Sequence, residues 1–205
     1  MITRSKTALI LVDIQNDFLP GGSLAVPDGD AVIPVANALM GRFPVVVATQ
    51  DWHPAGHSSF ASAYPGRKPG DVIFMGGTDQ ALWPDHCVEG TPGAEFGPGL
   101  EVGKITEVIR KGTDPAIDSY SGFFDNGGQK ATGLEDYLRG LGVEEVTIAG
   151  LATDYCVLFT ALDSARLGFR TTVAVDGCRG VELKPGDVEG ALARMQRAGV
   201  TLGEV

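Results

Sequence analysis

Short apolar runs recur along this chain, each rich in Val and Ile and each closed by a polar residue or a turn. Five of them read as buried strands: Ala8 to Ile14, Val45 to Gln50, Val108 to Lys111, Val146 to Ala149 and Thr172 to Val175, with a sixth candidate at Val200 to Leu202. Their residues are apolar on both faces, the pattern of strands covered by helices in a parallel sheet. Between them the spacing predicts helices near Asp30 to Met40, Gly133 to Leu141, Asp154 to Leu167 and Asp187 to Ala198. Strands alternating with helices in this way predict a doubly wound α/β domain. No internal repeat or linker divides the 205 residues, so they read as a single domain, 1–205.

One region breaks the alternation. Gln50 to Lys104 is rich in Gly and Pro, weakly periodic, and carries all three histidines and both tryptophans. A connection this long inside a compact domain is usually functional. The phosphate-binding glycine signatures of nucleotide sites are absent, and Gly97-Pro98-Gly99 has its third glycine one residue late, at Gly103. The glycine-rich segment Gly122 to Gly133 reads as a variable surface loop.

Composition narrows the classes further. Apolar content of 43% and charged content of 20% are those of an ordinary globular protein. A formal net charge of -10 repels phosphate backbones and anionic lipid, so neither nucleic acid nor membrane is an expected partner. The apolar run from Ala8 to Val12 meets Asp13 too soon for an export signal or a membrane span. Cys87, Cys156 and Cys178 are odd in number and far apart, which excludes a fully paired framework and, with no export signal, points to a reducing, cytoplasmic location.

In an open α/β sheet the site lies beyond the carboxyl ends of the strands. Asp13 follows the first strand, Asp51-Trp52-His53 the second, and Lys111 ends the third; Thr153-Asp154-Tyr155-Cys156 follows the fourth and Asp176-Gly177-Cys178 the fifth. A carboxylate, an ammonium, a thiol and imidazoles thus converge on one edge. Asp51, His53, His57 and the downstream His86 suit zinc, iron or manganese, with Cys87 a competing ligand; the plainer alternative is a strand end followed by a turn. Cys156 falls in a first helical turn capped by Thr153 or Asp154, where the helix dipole favours a thiolate and free N–H groups bind an oxyanion. A buried structural cysteine fits the same pattern. Asp13 and Lys111 could serve that thiol as base and stabilising cation, or form a salt bridge between strand ends. Phe18, Trp52, Phe60, Tyr64, Trp83 and Tyr120 leave the same edge, either as loop packing or as the walls of a slot for a flat ring.

Six ordered blocks carry a resemblance over nearly the whole chain: Val12-Asp-Ile-Gln-Asn-Asp-Phe18, Gln50-Asp-Trp-His-Pro-Ala-Gly-His-Ser-Ser-Phe60, Leu82-Trp-Pro-Asp-His-Cys-Val88, Arg110-Lys-Gly-Thr113, Tyr120-Ser-Gly-Phe123 and Gly150-Leu-Ala-Thr-Asp-Tyr-Cys-Val157. They resemble the nicotinamidase (pyrazinamidase) branch of the isochorismatase-like cysteine hydrolases. The resemblance implies a three-layer α/β/α fold around a parallel sheet of about six strands. It implies a triad of Asp13, Lys111 and Cys156, metal ligands Asp51, His53 and His86, and His57 as a fourth ligand seen in some members. Phe18 and Trp83 match an aromatic sandwich and Tyr120 a further pocket ring. A cis bond is implied before Ala152, whose N–H would join that of Cys156 at the oxyanion.

The implied reaction is hydrolysis of nicotinamide, and of pyrazinamide, to the acid and ammonia through a thioester on Cys156, in the salvage of NAD. The implied cofactor is one divalent metal, zinc first, with iron or manganese as alternatives, gripping the ring nitrogen. A homo-oligomer is compatible with the sequence. Two rival readings are a metallohydrolase with metal-bound water as nucleophile and Cys156 structural, and a small-molecule binding protein that would have no use for Asp13, Lys111 and Cys156 together.

Overall fold

The computed structural model describes residues 7–75 and 78–204. Residues 1–6, where the start of the chain was read for an export signal, lie outside the described residues. Six strands form one parallel sheet: β1 (Thr7–Val12), β2 (Val46–Asp51), β5 (Glu107–Lys111), β6 (Glu145–Leu151), β7 (Arg170–Arg179) and β8 (Thr201–Gly203). The helices are α1 (Val32–Met40), α2 (Leu134–Gly140), α3 (Leu158–Arg166) and α4 (Asp187–Arg197). Each was expected from its apolar spacing. The long connection after β2 contains a feature its weak periodicity concealed, a two-stranded antiparallel hairpin of β3 (Val72–Met75) and β4 (Thr78–Ala81).

Successive strand residues point to opposite faces, and β1 shows how this builds three layers. Ala8, Ile10 and Val12 pack with Leu134 and Leu138 of α2, Leu158 and Ala161 of α3, and Ala191 and Met195 of α4. Leu9 and Leu11 pack the other way, with Val32, Ala36 and Leu39 of α1 and with the long connection through Cys87, Ala94 and Leu100. The sheet order is β5-β2-β1-β6-β7-β8, so the chain runs outward from β1, then returns to lay β6 on its other side. That reversal between β1 and β6 is the place where an open α/β sheet leaves a crevice. Among the described residues no helix is long and apolar enough to cross a membrane.

Two local expectations are corrected. β7 runs on through Arg179, past a register shift against β6, so Cys178 lies within the strand, buried, with its thiol toward Ala174 O (3.3 Å). The segment from Gly122 is not merely surface: Phe123 is buried and Gly122 N–H donates to Thr160 Oγ1 (2.9 Å).

Candidate active site

Asp13 follows β1 at a positive φ of 48°, a conformation uncommon for a residue with a side chain. Thr49, in β2, holds it from two sides. Its hydroxyl accepts from Asp13 N–H (3.2 Å) and donates to Asp13 Oδ1 (2.6 Å). Asp13 Oδ2 is left for Lys111, whose ammonium lies 2.8 Å away. Lys111 ends β5, fully enclosed, and its three N–H groups donate to Asp51 Oδ1 (2.6 Å), Ser119 O (2.8 Å) and Cys156 Sγ (3.4 Å). Asp13, Asp51 and Cys156 offer ligand atoms within 4.8 Å of one another, but the cation among them is Lys111 itself.

The chain reaches Cys156 through β6. Gly150 pairs with Val12 at a positive φ of 128°, and a Cβ there would collide with the Val12 carbonyl. The Leu151–Ala152 peptide is cis, as the resemblance implied. Thr153–Val157 then forms a single π-helical turn, with Cys156 buried in it, before α3 begins. Neither expected cap acts as one: no side chain caps this turn, and the Asp154 carboxylate instead accepts from the N–H groups of Val181 (2.9 Å) and Glu182 (2.7 Å).

Electrostatics assign the protons. Burial raises the pKa of Asp13 against the pull of Lys111, to about 6. Burial also holds Cys156 well above the ordinary thiol value, with Asp13 and Asp51 adding to it and Lys111 opposing. The preference of the helix dipole for a thiolate is thereby outweighed. At neutral pH the pair rests as a carboxylate beside a protonated thiol, so Cys156 needs a base, and Asp13 is in place to be one. Lys111 is held charged: burial disfavours its ammonium, but Asp13 and Asp51 outweigh that and raise its pKa well above the ordinary value.

The second oxygen of Asp51 faces the histidines, 3.7 Å from His53 Nε2 and 3.9 Å from His86 Nε2. Both rings are fixed by carbonyl acceptors. His53 Nδ1–H donates to Gly112 O (2.9 Å) and His86 Nδ1–H to Pro84 O (2.8 Å), which turns a bare Nε2 of each toward Asp51. Gly112, at a φ of 65°, is required here because a Cβ would strike the His53 ring. His53 Nε2 is buried without a hydrogen-bond partner, and it also has Asp118 Oδ1 at 4.0 Å. Burial lowers the His53 pKa, but the Asp51 and Asp118 charges overcome it and raise the pKa; burial and the His53 charge push His86 down to about 4. The pocket therefore attracts positive charge and offers neutral imidazole on His86. Asp51, His53 and His86 present ligand atoms within 4.8 Å of one another and fit a divalent metal.

His57 is not brought into this group. Its Nε2–H donates to Asp114 O (2.8 Å) while its Nδ1 accepts from Ser59 Oγ (2.8 Å) and N (3.1 Å), so no lone pair is left over. Its ring packs 4.4 Å from that of His53. The competing ligand Cys87 is also turned away, its buried thiol toward Gly93 O.

The aromatic residues sort by partner. Phe18 lies 5.5 Å from His86, and Trp83 stands edge-on to Tyr155 (4.8 Å) and Tyr120 (6.4 Å). Phe60 walls the three histidines, Trp52 stacks under Arg110 (3.8 Å), and Tyr64 donates to Ser58 O. Four contributors escaped the sequence reading: Thr49, Ser119, Asp118 and Gln15. Gln15 Oε1 accepts from Asp51 N–H (2.8 Å) while its Nε2 donates to Asp51 O (2.8 Å). Gln15, two residues beyond Asp13, carried a signal, a polar residue after a buried strand; Asp118 and Ser119, inside a loop, carried none.

An isochorismatase domain matches residues 7–205, and the chain belongs to that family. Within it, the chain is 49% identical over 199 residues to the nicotinamidase of Escherichia coli K12, covering 95% of this chain and 93% of that one. Its fold superposes on an Acinetobacter baumanii nicotinamidase and pyrazinamidase with a TM-score of 0.95 at 46% identity, covering 98% and 97% of the two chains. A Pyrococcus horikoshii pyrazinamidase solved in complex with zinc matches at a TM-score of 0.79 and 40% identity, over 98% and 99%.

Proposed function

We propose that this chain is a nicotinamidase, a hydrolase that cleaves the amide of nicotinamide, and of pyrazinamide, to the carboxylate and ammonia. The single observation that carries the chemistry is Lys111, whose ammonium lies within 3.4 Å of Asp13, Asp51 and Cys156 together. The similarity to nicotinamidases over nearly the whole chain supports the substrate. A place in NAD salvage follows from the reaction, and the three free, buried cysteines suit a reducing cytoplasm.

Phe18, Trp83 and Tyr120 line the slot for the flat ring. Asp13 takes the proton of Cys156 as the sulfur attacks the amide carbon. The N–H groups of Ala152 and Cys156 hold the oxygen that becomes negative. Asp13 returns the proton to the departing nitrogen, and ammonia leaves a thioester on Cys156. Water then adds to the thioester carbon, Asp13 accepts its proton and restores the thiol, and nicotinate is released. Lys111 keeps Asp13 ionised and in place throughout. Asp51, His53 and His86 would hold a divalent metal, zinc by preference, which when bound would supply a Lewis acid for the ring nitrogen of the substrate.

The test is ammonia release from nicotinamide by protein of measured metal content, with trapping of an acyl adduct on Cys156. Turnover without any adduct on Cys156 would favour metal-bound water as the nucleophile.

A further inference from the structure

A buried polar chain outside the reacting groups leads from the hairpin to the aromatic wall. Gln80, in β4, is 1% exposed although β3, its partner strand, carries Val72 and Phe74 at 57% and 77%. A backbone donor sets the direction of the chain. Tyr120 N–H donates to Asn126 Oδ1 (2.9 Å), so Asn126 Nδ2 must donate, and it reaches Gln80 Oε1 (3.0 Å). Gln80 is thereby turned to present Nε2, whose hydrogens face the Tyr120 hydroxyl (2.9 Å), Asp118 Oδ2 (3.1 Å) and Ala81 O (2.8 Å). The same hydroxyl accepts from Trp83 Nε1 (3.1 Å). Two N–H donors thus occupy the phenolic oxygen, and each orients the ring that bears it.

We propose that Gln80 is a positioning residue for the substrate slot, acting through the Tyr120 hydroxyl to hold Tyr120 and Trp83 at a fixed mutual angle. The inference rests on the reading of those two rings as slot walls. Among the described residues the Tyr120 ring also touches the rings of Trp83, Tyr155 and Phe159, contacts that permit sliding and tilting in a way a hydrogen bond does not. Loss of the Gln80 donor therefore loosens substrate binding and leaves the thiol, its base and its cation as they were.

The experiment is Gln80→Met, similar in volume but without a donor, made alone and in a Tyr120→Phe background, with kcat and KM for nicotinamide measured in each. Expected is a rise in KM of about tenfold with kcat held within about threefold, the size of one lost hydrogen bond felt in binding. In the Tyr120→Phe background the same change should add less than about twofold, because the acceptor through which Gln80 acts is gone. An equal effect in both backgrounds, or a fall in kcat at unchanged KM, overturns the proposal. Should Gln80→Met fail to fold, Gln80→Asn, with an amide one methylene too short, must give the same split. A wild-type protein that releases no ammonia from nicotinamide would sink the functional reading instead, a result distinct from an active enzyme indifferent to Gln80.

Discussion

Lys111 and Asp51 share a hydrogen bond of 2.6 Å across adjacent strand ends, and this contact joins the thiol site to the histidine cluster. One oxygen of Asp51 serves Lys111 while the other faces His53 and His86. The lysine pulls the Asp51 proton off: burial would raise its pKa, but Lys111 and then His53 lower it far below the usual carboxylate range. A carboxylate so held is ionised at any working pH, as both neighbours require.

Replacing Cys156 by Ala should leave less than about a hundredth of wild-type turnover with fold and metal content intact, because the bond-forming atom is gone. Cys87→Ala and Cys178→Ala remove thiols that face backbone carbonyls elsewhere, and should cost stability more than rate. Residual turnover above that level in Cys156→Ala would end the covalent route. Steady-state rates and metal analysis on the three variants decide it.

Asp13→Asn and Lys111→Ala should each lower kcat by several orders of magnitude, and the double variant should cost little more than either. Their 2.8 Å contact makes one acid–base unit with Cys156. Multiplicative losses would mark two independent structural residues.

The pH profile should carry an acid limb near pH 6. The working form of Asp13 is the carboxylate, and protonation removes it, so kcat/KM should fall as pH drops through about 6 and be level above it. A limb nearer 4, the ordinary carboxylate value, would mean that burial does not govern the base.

Metal content should separate the histidines. His53→Ala and His86→Ala each delete a bare Nε2 and should bind metal at least tenfold more weakly. His57→Ala should keep its metal, since both of its ring nitrogens are hydrogen-bonded elsewhere. With metal in place, nicotinamide should exceed benzamide in kcat/KM by about a hundredfold or more, because benzamide lacks the ring nitrogen. Equal turnover of the two amides would assign the metal to water or to the loop instead.

The convergence of these side chains was legible in the sequence because they sit at strand ends, and strand ends are where apolar runs stop. Asp13, Lys111 and Cys156 could each be placed that way, as could Asp51 and His53. The part played by His57 stayed open because spacing shows that two imidazoles are near but not what their nitrogens bond; here Asp114 and Ser59 bond both. A helix dipole that favours a thiolate is visible in a sequence, whereas the burial among two carboxylates that opposes it is not. The hairpin was missed because its four-residue strands, rich in exposed side chains, lack the apolar alternation of a half-buried sheet.

The Val12–Gly150 approach also makes the backbone a gauge for the chemistry. The proposed base, Asp13, and the proposed nucleophile, Cys156, each follow one of two strands held in fixed register, about 4.8 Å apart as in any sheet. Without a side chain at 150, nothing wedges those strands open. Sequence drift over the outer helices and loops can thus accumulate without altering the reach from Asp13 to Cys156. Damage to the packing of β1 against β6 should slow turnover and lower the melting temperature together, because the same strands carry the buried core.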